Sequence, residues 1–107
     1  MSALEDKFGM QLAAAGFNAF KREFCAIAGR RFRWDFAWPD DKLLVEIHGG
    51  TFGRGRQAHS TGAGISRDLE KLNLATLAGY RVMAFDVKHV NDGRALAWIQ
   101  EFFRRRR

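Results

Sequence analysis

The sequence predicts a single α/β domain, a mixed sheet flanked by helices, with elements in the order α-β-β-β-α-β-α. Two observations carry most of that prediction. Residues 32–38 and 43–48 alternate side-chain character with period two on either side of Pro39-Asp40-Asp41, the mark of two strands joined by a turn. Three other stretches repeat apolar residues at helical spacing, and the short apolar run Tyr80–Val87 separates the last two of them. A chain of 107 residues has room for one domain and one core, and 47% hydrophobic with 28% charged residues excludes wholesale disorder.

Each element has a local reason. Ser2-Ala-Leu-Glu5 reads as a capping box, Leu4, Phe8 and Leu12 recur at helical spacing, and Gly16 supplies a stop, so the first helix is expected over 3–15. Phe20–Ile27 suits a strand ended by Gly29. Phe32, Trp34, Phe36 and Trp38 alternate with Arg33, Asp35 and Ala37; after the turn, Leu43, Val45 and Ile47 alternate with Leu44, Glu46 and His48. Residues 49–65 carry six glycines and read as a long loop, of a length that is functional or disordered in small domains. Ser66 is the expected cap of a second helix reaching Leu77, with Ile65, Leu69, Leu72 and Thr76 on its buried side and Gly79 after it. Tyr80–Val87 reads as a buried strand. Asn91 or Asp92 opens a last helix with Ala95, Ile99, Phe102 and Phe103 on one face.

Composition excludes several classes. No apolar run approaches the ~18–20 residues that span a bilayer, and the acidic start lacks the plan of a secretory signal, so a cytoplasmic protein without a membrane partner is expected. Cys25, the single cysteine, cannot form an internal disulfide and reads as a small buried hydrophobe. With His48, His59 and His89 scattered, no closed zinc cage assembles. Phosphate-loop, dinucleotide-binding and serine-hydrolase signatures are absent, and Trp34, Trp38 and Trp98 sit at core positions before they suggest base stacking. The net charge of +6 points to a polyanion, yet four of those charges are the terminal Arg104–Arg107 tail, so charge alone leaves nucleic-acid binding open.

The hairpin is the most informative place. With a two- or four-residue loop, positions summing to 81 face each other, which sets Asp35 opposite Glu46. Opposed Cβ atoms lie about 4.5–5.5 Å apart, close enough for two carboxylates to share one divalent ion. Without a counter-ion they repel. His48 falls on the same face, with Arg33 and Leu44 nearby, while Phe32, Trp34, Phe36, Trp38, Leu43, Val45 and Ile47 form the expected core side. A polar face of this kind is either solvated or a site, and alternation does not decide between them.

The run Arg33-Trp-Asp35-Phe-Ala-Trp-Pro39, then Leu44-Val-Glu46-Ile-His48-Gly-Gly50, then Asp68-Leu-Glu-Lys71 with Gly79-Tyr-Arg-Val82, resembles small restriction-endonuclease-like nucleases of the PD-(D/E)XK superfamily. Within it the chain looks most like the branch of very-short-patch-repair endonucleases and their bacterial and phage relatives. The resemblance covers nearly the whole chain and matches the α-β-β-β-α-β core of that superfamily in order. It implies hydrolysis of DNA phosphodiesters with Mg²⁺ or Mn²⁺, Asp35 and Glu46 matching the acidic metal ligands. Glu5 matches an acid that relatives carry on the first helix, and is equally half of the capping box. His48 stands where the superfamily has lysine; it either handles a proton or marks a degenerate site. Lys71, three residues after Asp68, either supplies the missing cation or is an exposed ion-pair partner. In the glycine-rich stretch, Gly49 and Gly50 would let backbone approach the scissile phosphate, while Arg54, Arg56 and His59, with Arg67 beyond, would grip the strand.

The reading from sequence is therefore a metal-dependent endonuclease acting on mismatched, branched or ordinary duplex DNA. A homodimer or a helper protein is expected, since one small chain has little surface for reading sequence. Two rivals stand beside it: a catalytically silent nucleic-acid-binding module on the same fold, and an interaction or inhibitory protein whose arginines meet a protein partner.

Overall fold

The computed structural model describes residues 2–49 and 62–106. The elements are α1 (Ala3–Ala14), β1 (Lys21–Phe24), β2 (Trp34–Trp38), a 3-10 turn (Pro39–Asp41), β3 (Leu43–His48), α2 (Gly62–Leu77), β4 (Arg81–Asp86), α3 (Val87–Asn91) and α4 (Arg94–Arg105). The strands form one sheet in the order β1-β2-β3-β4, antiparallel for the first two pairings and parallel for β3 with β4. The expected α/β class with a mixed sheet flanked by helices is the observed one. No helix among the described residues is long and apolar enough to cross a membrane.

The hairpin register follows the predicted parity: Phe36 pairs with Val45, Ala37 with Leu44 and Trp38 with Leu43. Pro39 opens a four-residue connection whose last member, Lys42, takes a left-handed φ of 56° and donates its N–H to the Pro39 carbonyl at 3.1 Å. α1 begins where Ser2 Oγ accepts the Glu5 N–H at 3.1 Å and ends before Gly16 at φ +90°.

Two cores sandwich the sheet. On one face Phe8 and Leu12 of α1, Val90 of α3, and Ala95 and Ile99 of α4 close over Phe36, Trp38, Leu43, Val45, Ile47 and Phe85. Phe8 meets Phe36 and Phe85 edge-on, with centroids 5.5 and 5.6 Å away. On the other face α2 packs through Ala75 onto Trp34, Ala37 and Leu44. Trp34 and Phe32 therefore leave the side expected of them. The cause is a local twist of the β1–β2 ribbon: Arg22, paired with Phe36, lies over that ring on the α1 face, whereas Phe24, paired with Trp34, packs on the α2 face. Residues two apart in a regular strand share a face. Between them Glu23 adopts φ 51°, a conformation that non-glycine residues avoid.

Other expectations are corrected. β1 stops at Phe24 instead of Ile27 and β2 starts at Trp34 instead of Phe32, because the connection turns through Gly29 at φ +79° with Arg30 N–H bonded to the Ile27 carbonyl. Cys25 is exposed, not buried. α2 begins a turn early, at Gly62, so Ser66 lies inside the helix and caps nothing; its expected buried side points outward, with Ile65, Leu69 and Leu72 exposed. β4 is an edge strand, mostly half-buried. α3 is an unforeseen helix, capped by Asp86, which accepts the His89 N–H at 3.0 Å while His89 Nδ1 accepts the Asp86 N–H at 3.2 Å.

Candidate active site

Three acids from three elements meet at the end of the sheet where β1 ends, β2 begins and β3 ends. Glu5 comes from the first turn of α1, Glu23 from the strained residue of β1, and Asp35 from β2; each offers a carboxylate oxygen within 4.8 Å of the other two. Only the Ser2 half of the expected capping box forms, which leaves the Glu5 carboxylate for this cluster. Its position depends on how closely α1 approaches the end of β3. At Gly49 a Cβ would lie 2.4 Å from Leu4 Cδ2 and 3.3 Å from Leu4 Cβ, so a glycine there admits the helix.

The left-handed φ at Glu23 and the turnover of the ribbon beside it re-aim Glu23 and Asp35 together, as bulges do near functional sites. Asp35 Oδ2 accepts the Ile47 N–H at 2.7 Å, which fixes the carboxylate against β3. Burial raises the Asp35 carboxyl above its ordinary pKa; the Ile47 N–H pulls it back, and the Glu46 and Glu23 charges push it up again. Glu5 is raised too, first by burial and then by Asp35 and Glu23. Among the described residues Glu5 Oε1 is buried without a hydrogen-bond partner. The Arg22 guanidinium stands 3.6 Å from it, beyond bonding range, and is shared with Asp6.

Glu46 forms a second group on the α2 side. Lys71 Nζ donates to Glu46 Oε2, and also to the Arg33 carbonyl at 2.7 Å, while lying 4.7 Å from the centroid of the Trp34 ring. Lys71 is therefore wedged between α2 and the sheet, not the exposed ion-pair partner of the simpler reading; its side chain is 17% exposed. His48, the last residue of β3, places Nε2 3.7 Å from Glu46 Oε1 with its ring largely in solvent. The β2–β3 register reaches Phe36 with Val45, one step short of Asp35 and Glu46, whose charges still act on one another. The group that converges, however, is Glu5, Glu23 and Asp35, with Glu46 engaged by Lys71.

Glu23 was missed, since nothing in its neighbourhood marks a left-handed residue and the 25–33 connection is too long to set a register by counting. Arg67 is exposed on α2, one turn before Lys71. Gly50, Arg54, Arg56 and His59 lie outside the described residues. A hard divalent ion with bonds near 2.1 Å has ligand oxygens roughly 3–4.2 Å apart, so three carboxylates already within 4.8 Å need only close slightly. Burial first, and the neighbouring acids after it, raise Glu5 and Asp35, and a bound cation would offset both while taking the Glu5 oxygen that lacks a hydrogen bond. These residues fit a divalent metal.

The site thus sits at one end of a mixed four-stranded sheet with helices on both faces. Across 96% of this chain and 95% of the other, the fold is similar to that of the catalytic domain of the homing endonuclease I-Bth0305I, with a TM-score of 0.70 and 18% sequence identity. No family model matches the sequence, and no curated protein matches it.

Proposed function

We propose that this protein is a divalent-metal-dependent endonuclease that hydrolyses phosphodiester bonds in DNA, of the PD-(D/E)XK type and nearest its very-short-patch-repair branch. The observation that carries the reading is the Glu5, Glu23 and Asp35 cluster, in which Glu5 Oε1 is buried without a hydrogen-bond partner among the described residues. Similarity of fold to an endonuclease domain supports it.

Mg²⁺ or Mn²⁺ bound there would supply Lewis acidity toward a phosphate oxygen and make water acidic enough to serve as nucleophile. Glu5, Glu23 and Asp35 are the residues that would hold it. The Ile47 N–H keeps Asp35 oriented, and Gly49 keeps Glu5 within reach. Glu46, opposite Asp35, would join them once Lys71 turns toward substrate. His48, exposed beside Glu46, would take a proton from an attacking water, and Lys71, paired with the same glutamate, would oppose charge building on phosphate. Together they occupy the role that a strand lysine fills in the superfamily.

The test is cleavage of a panel of linear, nicked, mismatched and four-way DNA in Mg²⁺ or Mn²⁺. Wild type is expected to cut at least one member and Asp35→Ala none; His48→Ala is expected to lower turnover with little change in DNA affinity. DNA binding without cleavage of any member would leave a silent binding module instead.

A further inference from the structure

A second charged feature adjoins the acids and takes no part in the chemistry above. The 25–33 connection and α2 enclose an open groove of about 460 Å³ lined by Gly29, Arg30, Arg31, Phe32, Arg67 and Glu70. A smaller one of about 340 Å³, lined by Cys25, Arg30, Arg31 and Arg33, shares two of those arginines and so continues it. Four guanidinium groups therefore border one channel.

Their partners are unequal. Arg30 bonds Glu70 Oε2 at 2.7 Å and lies 4.7 Å over the Phe32 ring, which holds it flat along the wall. Arg33 reaches Glu23 Oε1 at 3.9 Å. Arg31 and Arg67 are exposed and make no ion pair among the described residues. Cations gathered in a groove with fewer carboxylates than guanidiniums repel one another, and a polyanion relieves that.

The channel leads to the acids. Arg33 lines the smaller groove, its guanidinium touches Glu23 of the acidic cluster, and its carbonyl accepts Lys71. Arg67 is one turn from Lys71, about 6 Å along the helix, which is roughly two nucleotide rises at ~3.4 Å each. A different basic groove, lined by Arg81, Trp98, Phe102, Arg105 and Arg106 among others, sits by the opposite end of β4. There Arg105 is tied to Glu101 and Arg106 to Asp41, so much of its charge is already answered.

We propose that the channel between the 25–33 connection and α2 seats the DNA backbone beside the cut, with Arg31 and Arg67 gripping phosphates one or two nucleotides from the scissile one and Arg30 forming its wall. This rests on the nuclease reading of the neighbouring acids. The sequence points to arginines in the glycine-rich stretch, with Arg67, for this task, and not to Arg30 or Arg31.

Anisotropy of a labelled duplex, titrated with the full chain in EDTA across a series of KCl concentrations, separates binding from cleavage. Arg31→Ala/Arg67→Ala is expected to weaken binding and to reduce the magnitude of the salt slope by about 1.8, since each lost phosphate contact removes about 0.9. Arg31→Lys/Arg67→Lys is expected to keep most of the slope. Arg81→Ala/Arg105→Ala is expected to leave it unchanged. Circular dichroism and thermal melting confirm that each variant folds. An unchanged slope in the first variant, or an equal loss in the Arg81 and Arg105 variant, overturns the channel. A channel confirmed this way in a protein that cuts no DNA in Mg²⁺ or Mn²⁺ refutes the nuclease reading alone; cleavage with an unchanged slope in the first variant refutes the channel alone.

Discussion

The two faces of the sheet are built differently. Under α1, α3 and α4 the contact is broad and aromatic, with Phe8, Phe36 and Phe85 locked edge to face and Ile99 and Val90 fully enclosed. Under α2, among the described residues, only Trp34, Ala37, Leu44 and Ala75 are fully enclosed, and the space beyond them belongs to Lys71, Glu46 and the arginines. The thick face is a platform and the thin face leaves room for charge. Where the β1–β2 ribbon changes over from one face to the other, Glu23 and Asp35 are presented to Glu5.

Core truncation should separate the two faces most strongly. Phe36→Ala removes a ring from the thick face and is expected to cost about 3–5 kcal/mol, whereas Leu44→Ala, under a cover that is free to collapse, should fall near 2 kcal/mol. Urea unfolding measures both; equal losses would mean that the faces are packed alike.

Neutralising an acid at the changeover should have a smaller effect of opposite sign. A carboxyl whose folded pKa lies above its unfolded value binds its proton more tightly in the native state. The resulting penalty is absent below the unfolded pKa, grows as pH rises through the window between the two values, and is complete above the folded one. Asp35 is such a group, raised chiefly by burial. Asp35→Asn keeps an oxygen for the Ile47 N–H and is expected to melt higher than wild type at pH 7 without metal, with the gain shrinking as the pH falls below the folded pKa and gone below the unfolded one. A variant that melts lower at pH 7, or whose gain ignores pH, would show that the charged Asp35 carboxylate carries no penalty in the folded state.

The smallest effect belongs to the seam between α1 and β3. Gly49→Ala forces Leu4 to shift, and since its Cδ2 is the flexible end of a side chain the stability cost should stay near 1 kcal/mol. Turnover should fall by a larger factor than stability accounts for, because Glu5 moves with Leu4. Undiminished turnover would detach Glu5 from the site.

The legible parts were the local ones. Hairpin parity needs only the alternation and the length of the connection at 39–42, so the pairing of Phe36 with Val45, Ala37 with Leu44 and Trp38 with Leu43 could be read by counting. Lys71 was placed by helical spacing from Asp68. Glu23 was not legible, because a nine-residue connection leaves the β1–β2 register open and no propensity announces a left-handed glutamate. Helical periodicity also found the apolar stripe of α2 without saying what covers it, and the stripe of Ile65, Leu69 and Leu72 proved to face outward. Glycines at 62 and 64 read as loop, although helix continues through them.

Whether Glu5, Glu23 and Asp35 assemble around a divalent cation is tested most directly by calorimetric titration of Mn²⁺ into the 107-residue chain, with Glu5→Gln and Asp35→Asn alongside. One site per chain is predicted, weakened at least about tenfold in each variant. Equal affinity in all three proteins, or no uptake by the wild type, would contradict it.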